Sequence, residues 1–200
     1  MAIDLPTIRF QPSYPAVIDS VSVNRAGNRV VGIVEYADPT WQVVMRTVPL
    51  SASDRLVTEC FRDACRGGME TVRYRPKHQC LPRSLWGNPT SPLLANGSLS
   101  SKSGYQVTVA ATNGLILSPG DLISLSAGTY HFMARVVTGG TVVGGTVALT
   151  LNMPVPSYIG IGSTLRVKDP IMNTRMLPSS FSLPDEFYPI ASFTLIEVPR

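Results

Sequence analysis

Cys60, Cys65, His78 and Cys80 are the residues of this sequence with the most versatile chemistry at close spacing. Thiolates and an imidazole are the ligand types that hold zinc. Cys60 and Cys65 are five residues apart in a segment of helical periodicity, which turns them about 140° apart around the axis. They face different neighbours, so the expectation is no metal, with the thiols acting as small buried hydrophobes. A nucleophilic role is equally disfavoured, because Cys65 stands at the C-terminal end of that helix, where the dipole opposes a thiolate. Three cysteines give no disulfide framework, and reduced thiols are expected. The two histidines, His78 and His131, have no catalytic context. There is no G-x-S-x-G elbow, no H-E-x-x-H and no G-K-[ST] phosphate loop. Gly160-Ile-Gly162 lacks the third glycine of a dinucleotide fingerprint. No catalytic residue, metal or cofactor is therefore assigned, and the chain is read as non-enzymatic.

The densest charge lies between residues 62 and 83: Arg62, Arg66, Arg73, Arg75, Lys77 and Arg83, against Asp63 and Glu70. Arg62 and Arg66 share a helix face, and Arg73 and Arg75 share a strand face. These four arginines are the candidate subunit-interface residues, a rim that would dock an acidic neighbour. The competing reading is a solvated edge that prevents stray strand pairing. Arginine outnumbers lysine 14 to three, a skew found in interfaces because the guanidinium is weakly hydrated and makes forked hydrogen bonds. Codon bias in a GC-rich genome produces the same skew. The net charge of +4 is spread out and falls short of the basic stripe a nucleic-acid binder needs. Between residues 103 and 170 the aromatics are Tyr105, Tyr130, Phe132 and Tyr158, with Arg135, Arg166 and Lys168 set against Asp121 and Asp169. That is thin material for a single-strand binding groove, and no direct nucleic-acid partner is expected. A carbohydrate site stays open, since it depends on which aromatics are exposed.

The elements that position these residues follow from composition and pattern. Only 15% of the 200 residues are charged, against about 25% in an average soluble domain, so part of the surface is not meant for water. The first residues have no charged leader before an apolar run, so no secretory signal is expected. The 30 uncharged residues Val136 to Leu165 contain six glycines and two prolines, which excludes a membrane helix there. Val17 to Val23 and Arg29 to Tyr36 read as a hairpin around Asn24–Asn28. Asp38-Pro39 should break the chain before a strand at Trp41 to Val48. Ser51 and Asp54 open a helix that Gly67-Gly68 closes. Its Leu56, Val57, Cys60, Phe61 and Ala64 fall within one arc of about 140°, the face expected to lie on a sheet. Thr71 to Tyr74 is a further strand, and Pro76 to Ser103 a proline-rich connection. Five short strands follow: Tyr105–Ala111, Asp121–Leu125, His131–Val137, Thr146–Leu151 and Thr164–Val167. They suggest a small barrel of OB-like topology. Met172–Leu177 and Ala191–Val198 are the last strands, the final one rejoining the N-terminal sheet. The fold class is thus mainly β: a β-sandwich with one amphipathic helix (residues 1–85 and 170–200) and an inserted OB-like barrel (residues 86–169).

In this order the segments resemble the distal tail protein family of long-tailed phages. The likeness spans about residues 40–180. It is carried by Phe61-Arg-Asp-Ala-Cys-Arg-Gly-Gly68, Leu117-Ser-Pro-Gly-Asp-Leu-Ile-Ser-Leu125, His131-Phe-Met-Ala-Arg-Val-Val137, Pro154-Val-Pro156, Arg166-Val-Lys-Asp-Pro170 and Asn173-Thr-Arg-Met-Leu177. The resemblance implies a virion protein at the tail tip or baseplate, assembled in the host cytoplasm. It also implies a β-sandwich in a hexameric ring between tail tube protein and tip hub protein, and an OB-like second domain as in smaller members. It supplies no catalytic residues. The chain has no large carbohydrate-binding insertion of the kind some members carry. Another virion part, a tail-tube or head-completion protein, and a carbohydrate- or nucleic-acid-binding β module are the alternatives.

Overall fold

The computed structural model describes residues 2–26 and 30–198. Strands β1 (Ala2–Asp4), β2 (Ala16–Ala26) and β3 (Val30–Arg46) come first. Helix α1 (Ala52–Ala64) and β4 (Thr71–Tyr74) follow. Then come β5 (Gly97–Ser103), β6 (Gln106–Ala110), β7 (Ile116–Leu117), β8 (Leu122–Ala127), β9 (Tyr130–Thr138), β10 (Gly140–Thr141), β11 (Thr146–Leu151) and β12 (Thr164–Arg166). The chain ends with β13 (Met172–Met176) and β14 (Ser192–Glu197). Among the described residues the fold is mainly β, with one α-helix. No helix among the described residues is long and apolar enough to cross a membrane.

Six strands form a sheet in the order β1-β4-β13-β14-β3-β2. β1 pairs β4 in parallel and every other pairing is antiparallel. Alternation decides which face is buried: Val43, Met45, Val72, Tyr74, Phe193 and Leu195 are all buried. Six further strands close a barrel, β11-β6-β5-β12-β8-β9, antiparallel throughout. β7 and β10 make a separate two-stranded ribbon.

Two expectations about strands are corrected here. The barrel has six strands rather than five, because Gly97–Ser103, read as part of the connection, is a wall strand. Its sequence Gly-Ser-Leu-Ser-Ser-Lys-Ser buries only Leu99, so no apolar alternation marks it; pairing with β6 and β12 makes it a strand. The chain also does not break at Asp38-Pro39, since β3 runs on through both residues. Between the pairs Ile18↔Thr40 and Ser20↔Ala37 the register shifts, leaving an extra residue on β3. Such a bulge is where a strand tolerates proline, whose missing N–H breaks no ladder bond. The hairpin turn expected at Asn24–Asn28 falls partly outside the described residues.

The sheet and the barrel share one continuous cluster of buried residues. Trp41, fully buried on the sheet, donates its indole N–H to the Met133 carbonyl of β9 at 2.6 Å. The Arg135 guanidinium lies 5.2 Å over the same ring. Ile171 N–H donates to Ser124 Oγ at 3.0 Å, and Asn173 Nδ2 donates to the Thr129 carbonyl at 2.8 Å.

Candidate docking surfaces

Helix α1 starts where the sequence places its cap, with Ser51 Oγ accepting from Asp54 N–H at 3.2 Å. Its orientation is not the one the apolar arc suggests. Phe61 packs on Phe193 with centroids 5.5 Å apart, and Thr58 and Cys65 are buried beside it. These three centre the buried face roughly 100° from the middle of the apolar arc at 3.6 residues per turn. The consequence is an outward stripe: Leu56 is 63% exposed, and Val57, Cys60 and Ala64 are exposed with it. Thr58 can take the inner position because its Oγ1 donates to the Asp54 carbonyl at 2.7 Å, leaving no hydroxyl unsatisfied.

A loop runs beside the first turns of the helix. Arg55 Nη1 meets Asp185 Oδ1 at 3.2 Å, and Leu50 N–H donates to the Pro189 carbonyl at 3.0 Å. This loop holds Phe187, 89% exposed, edge-on to Tyr188 with centroids 5.0 Å apart. Nothing in the sequence pattern distinguished that aromatic pair from core residues.

The second open surface is the far end of β2 and β3. β14 pairs β3 only from Gln42 to Arg46, so the stretch back to Val30 is a two-stranded arm standing beyond the sheet, with a ladder of about 30 Å at strand rise. Val21 and Val34 are exposed on it, Val34 at 62%. Near its base Val44, 54% exposed, shares an open groove of about 360 Å³ with Tyr14, Gln42 and Arg46. An isolated two-stranded hairpin is marginal in water.

The four candidate arginines fall in two places. Arg62 and Arg66 line a groove of about 400 Å³ with Met176, Leu177, Pro178 and Phe181. Arg62 pairs with Asp63 at 2.9 Å and stacks 5.6 Å over the Phe181 ring. Arg66 reaches Glu70 at 3.4 Å. The groove floor is fixed by the helix end: Arg66 has φ 48° and Gly67 φ 66°, and a Cβ on Gly68 would enter the Met176 carbonyl oxygen. Arg73 and Arg75 lie instead on β4 and the residue after it, with Arg166 and His131 close by.

The residues first weighed for chemistry are dispersed. Cys60 is exposed and Cys65 buried, and burial, with the nearby Glu70 charge, pushes the Cys65 thiol up to about 11. His78 lies against Tyr14, 6.3 Å between centroids. Among the described residues no three of His, Cys, Asp and Glu gather as a metal site. Of the four barrel-segment aromatics, Phe132 is buried, Tyr130 and Tyr158 meet with tilted rings 5.3 Å apart against the core, and Tyr105 is exposed. No protein-family model matches this chain, and no curated protein sequence matches it.

Proposed function

We propose that this protein is a structural component of a phage tail tip, a distal tail protein whose copies assemble into a ring, a hexamer on the family pattern, between the tail tube protein and the tip hub protein. The family resemblance supplies the identity. The observation that carries the assembly reading is the outward apolar stripe of α1, on a molecule that also leaves the Phe187–Tyr188 pair, a hairpin arm and a sheet face open. Freely monomeric proteins rarely leave contiguous apolar patches beyond a few hundred Å². Two separate surfaces on one chain suit a heterologous contact, in which one patch meets a different patch of the next copy and the rotation closes a ring. The occupant of the stripe is thus a second copy of this chain. The work of such a part is geometric: it ends the symmetry of the tube and seats the hub.

Native mass spectrometry of the purified chain tests this. The expected result is a closed oligomer, seen in negative stain as a ring that does not stack into tubes. Leu56→Glu should convert it to monomer with an unchanged circular dichroism spectrum. A wild-type chain that stays monomeric at high micromolar concentration, or an L56E variant that still forms rings, would overturn the assignment.

A further inference from the structure

A cationic cluster lies where the six-stranded sheet meets the barrel, away from the surfaces above. On β4 and β13, Arg73 stands directly opposite Asn173, and Asn173 reaches the barrel through its hydrogen bond to Thr129, two residues before His131. On the barrel, Arg166 pairs with Ser124 and His131 with Ser126 across β8. The pleat puts Ser124, Ser126, Arg166 and His131 on one face. Arg75, just past the end of β4, comes close enough to His131 to act on it as well.

Two features make this arrangement costly as it stands. The Nε–H groups of Arg73 and Arg166 are buried without a hydrogen-bond partner, a loss worth more for a charged donor than for a neutral one. Among the described residues, no carboxylate comes within ion-pair distance of Arg73, Arg75 or Arg166. The acidic residue nearest in register is Asp4, opposite Arg73 on β1, and it is exposed. His131 registers the field: burial holds its imidazole below the ordinary 6.5, and Arg73, Arg166 and Arg75 push it lower still. Its Nδ1 lies 2.9 Å from Ser126 Oγ.

We propose that Arg73, Arg75 and Arg166, with His131 beside them, form a binding site for a phosphate-class oxyanion at the junction of sheet and barrel. Guanidinium groups are suited to it, because their forked donors match tetrahedral oxyanions two bonds at a time. Three such charges, with no carboxylate at ion-pair distance among the described residues, favour a dianion over a single carboxylate. The site does not depend on the tail-ring reading, since it is built within one copy.

Isothermal titration of the intact protein with inorganic phosphate, against chloride at matched ionic strength, tests the site. One saturable phosphate site per chain is expected, with a thermal midpoint that rises with phosphate and not with chloride. Arg166→Gln should weaken phosphate at least tenfold. Arg75→Gln, an exposed position that does not threaten folding, should weaken it severalfold. In buffer free of polyvalent anions R166Q should be at least as stable as wild type, because it removes a repelled charge. Equal responses to phosphate and chloride in wild type, or unchanged phosphate binding in R75Q and R166Q, would overturn the proposal.

Discussion

Glu197 gives the sharpest test of how sheet and barrel are joined. At the end of β14 its side chain turns into a cavity of about 170 Å³ at the junction, lined by Asp38 and Pro39 from β3 and Phe132, Met153 and Tyr158 from the barrel segment. Burial pushes its carboxyl from 4.5 to about 7, partly offset by the Trp41 N–H donated to Oε2 at 3.1 Å. The surrounding groups do not neutralise it. Tyr158 is itself raised to about 12, first by burial and then by the Glu197 charge; Tyr130 packs on Tyr158, Asp38 is an acidic neighbour in the same cavity, and Arg135 is engaged over the Trp41 ring. The folded protein therefore holds this proton more tightly than the unfolded chain. Its stabilisation is complete below about pH 4.5, fades as pH rises, and is lost above about 7. At 1.36 kcal/mol per pH unit that separation is worth about 3 kcal/mol. Glu197→Gln keeps an acceptor for Trp41 and removes the titration. Urea unfolding at fixed protein concentration and pH 5, 6.5 and 8 should show wild type losing stability across that range relative to E197Q, with the variant the more stable at pH 8. Parallel curves for the two proteins would refute the reasoning.

Three further outcomes follow from particular contacts. Trp41→Phe removes the 2.6 Å bond to Met133 and strands a carbonyl, so chemical denaturation should report a loss of about 1–3 kcal/mol. In Gly97→Ala the new Cβ would enter the Ala110 carbonyl oxygen across β5 and β6; overpacking of this kind costs about 1–3 kcal/mol, and amide exchange should speed up in those two strands before the sheet. Ser51→Ala deletes the cap on α1 and should cost about 1 kcal/mol, read as a lower thermal midpoint.

The sequence made elements legible where local chemistry alone decides them. Ser51, Asp54 and the Gly67-Gly68 pair bracket α1 because capping and left-handed glycine are short-range effects. The alternation of Phe193 and Leu195 marks β14 for the same reason, since each alternate residue faces the core. Reading failed where partners decide. β5 is serine-rich and becomes a strand through β6 and β12. β3 survives Pro39 because a bulge absorbs it. Arg166 and His131 looked unconnected to Arg73 and Arg75, being far apart in the chain, and only the packing of β13 on the barrel brings them together.

The rotation of α1 has a physical logic that links the fold to the proposed assembly. A helix meant only to cover a sheet needs one apolar face, and burying Leu56, Val57 and Cys60 along with Phe61 would have served that end. Instead Thr58 occupies the inner face, and Leu56 and Val57 are left in water. Full burial of a side chain of this kind is worth about 1.5–3 kcal/mol. Two such residues hold back a stabilisation at the low end of the roughly 4–15 kcal/mol that association costs. A single contact of that size therefore gives only modest binding between two free copies. In a closed ring every subunit makes the contact twice, and the last interface forms without a further loss of translational freedom. The same few side chains that would give a weak dimer can thus hold a ring, and the inward turn of Thr58 is the feature of the fold that leaves them free to do so.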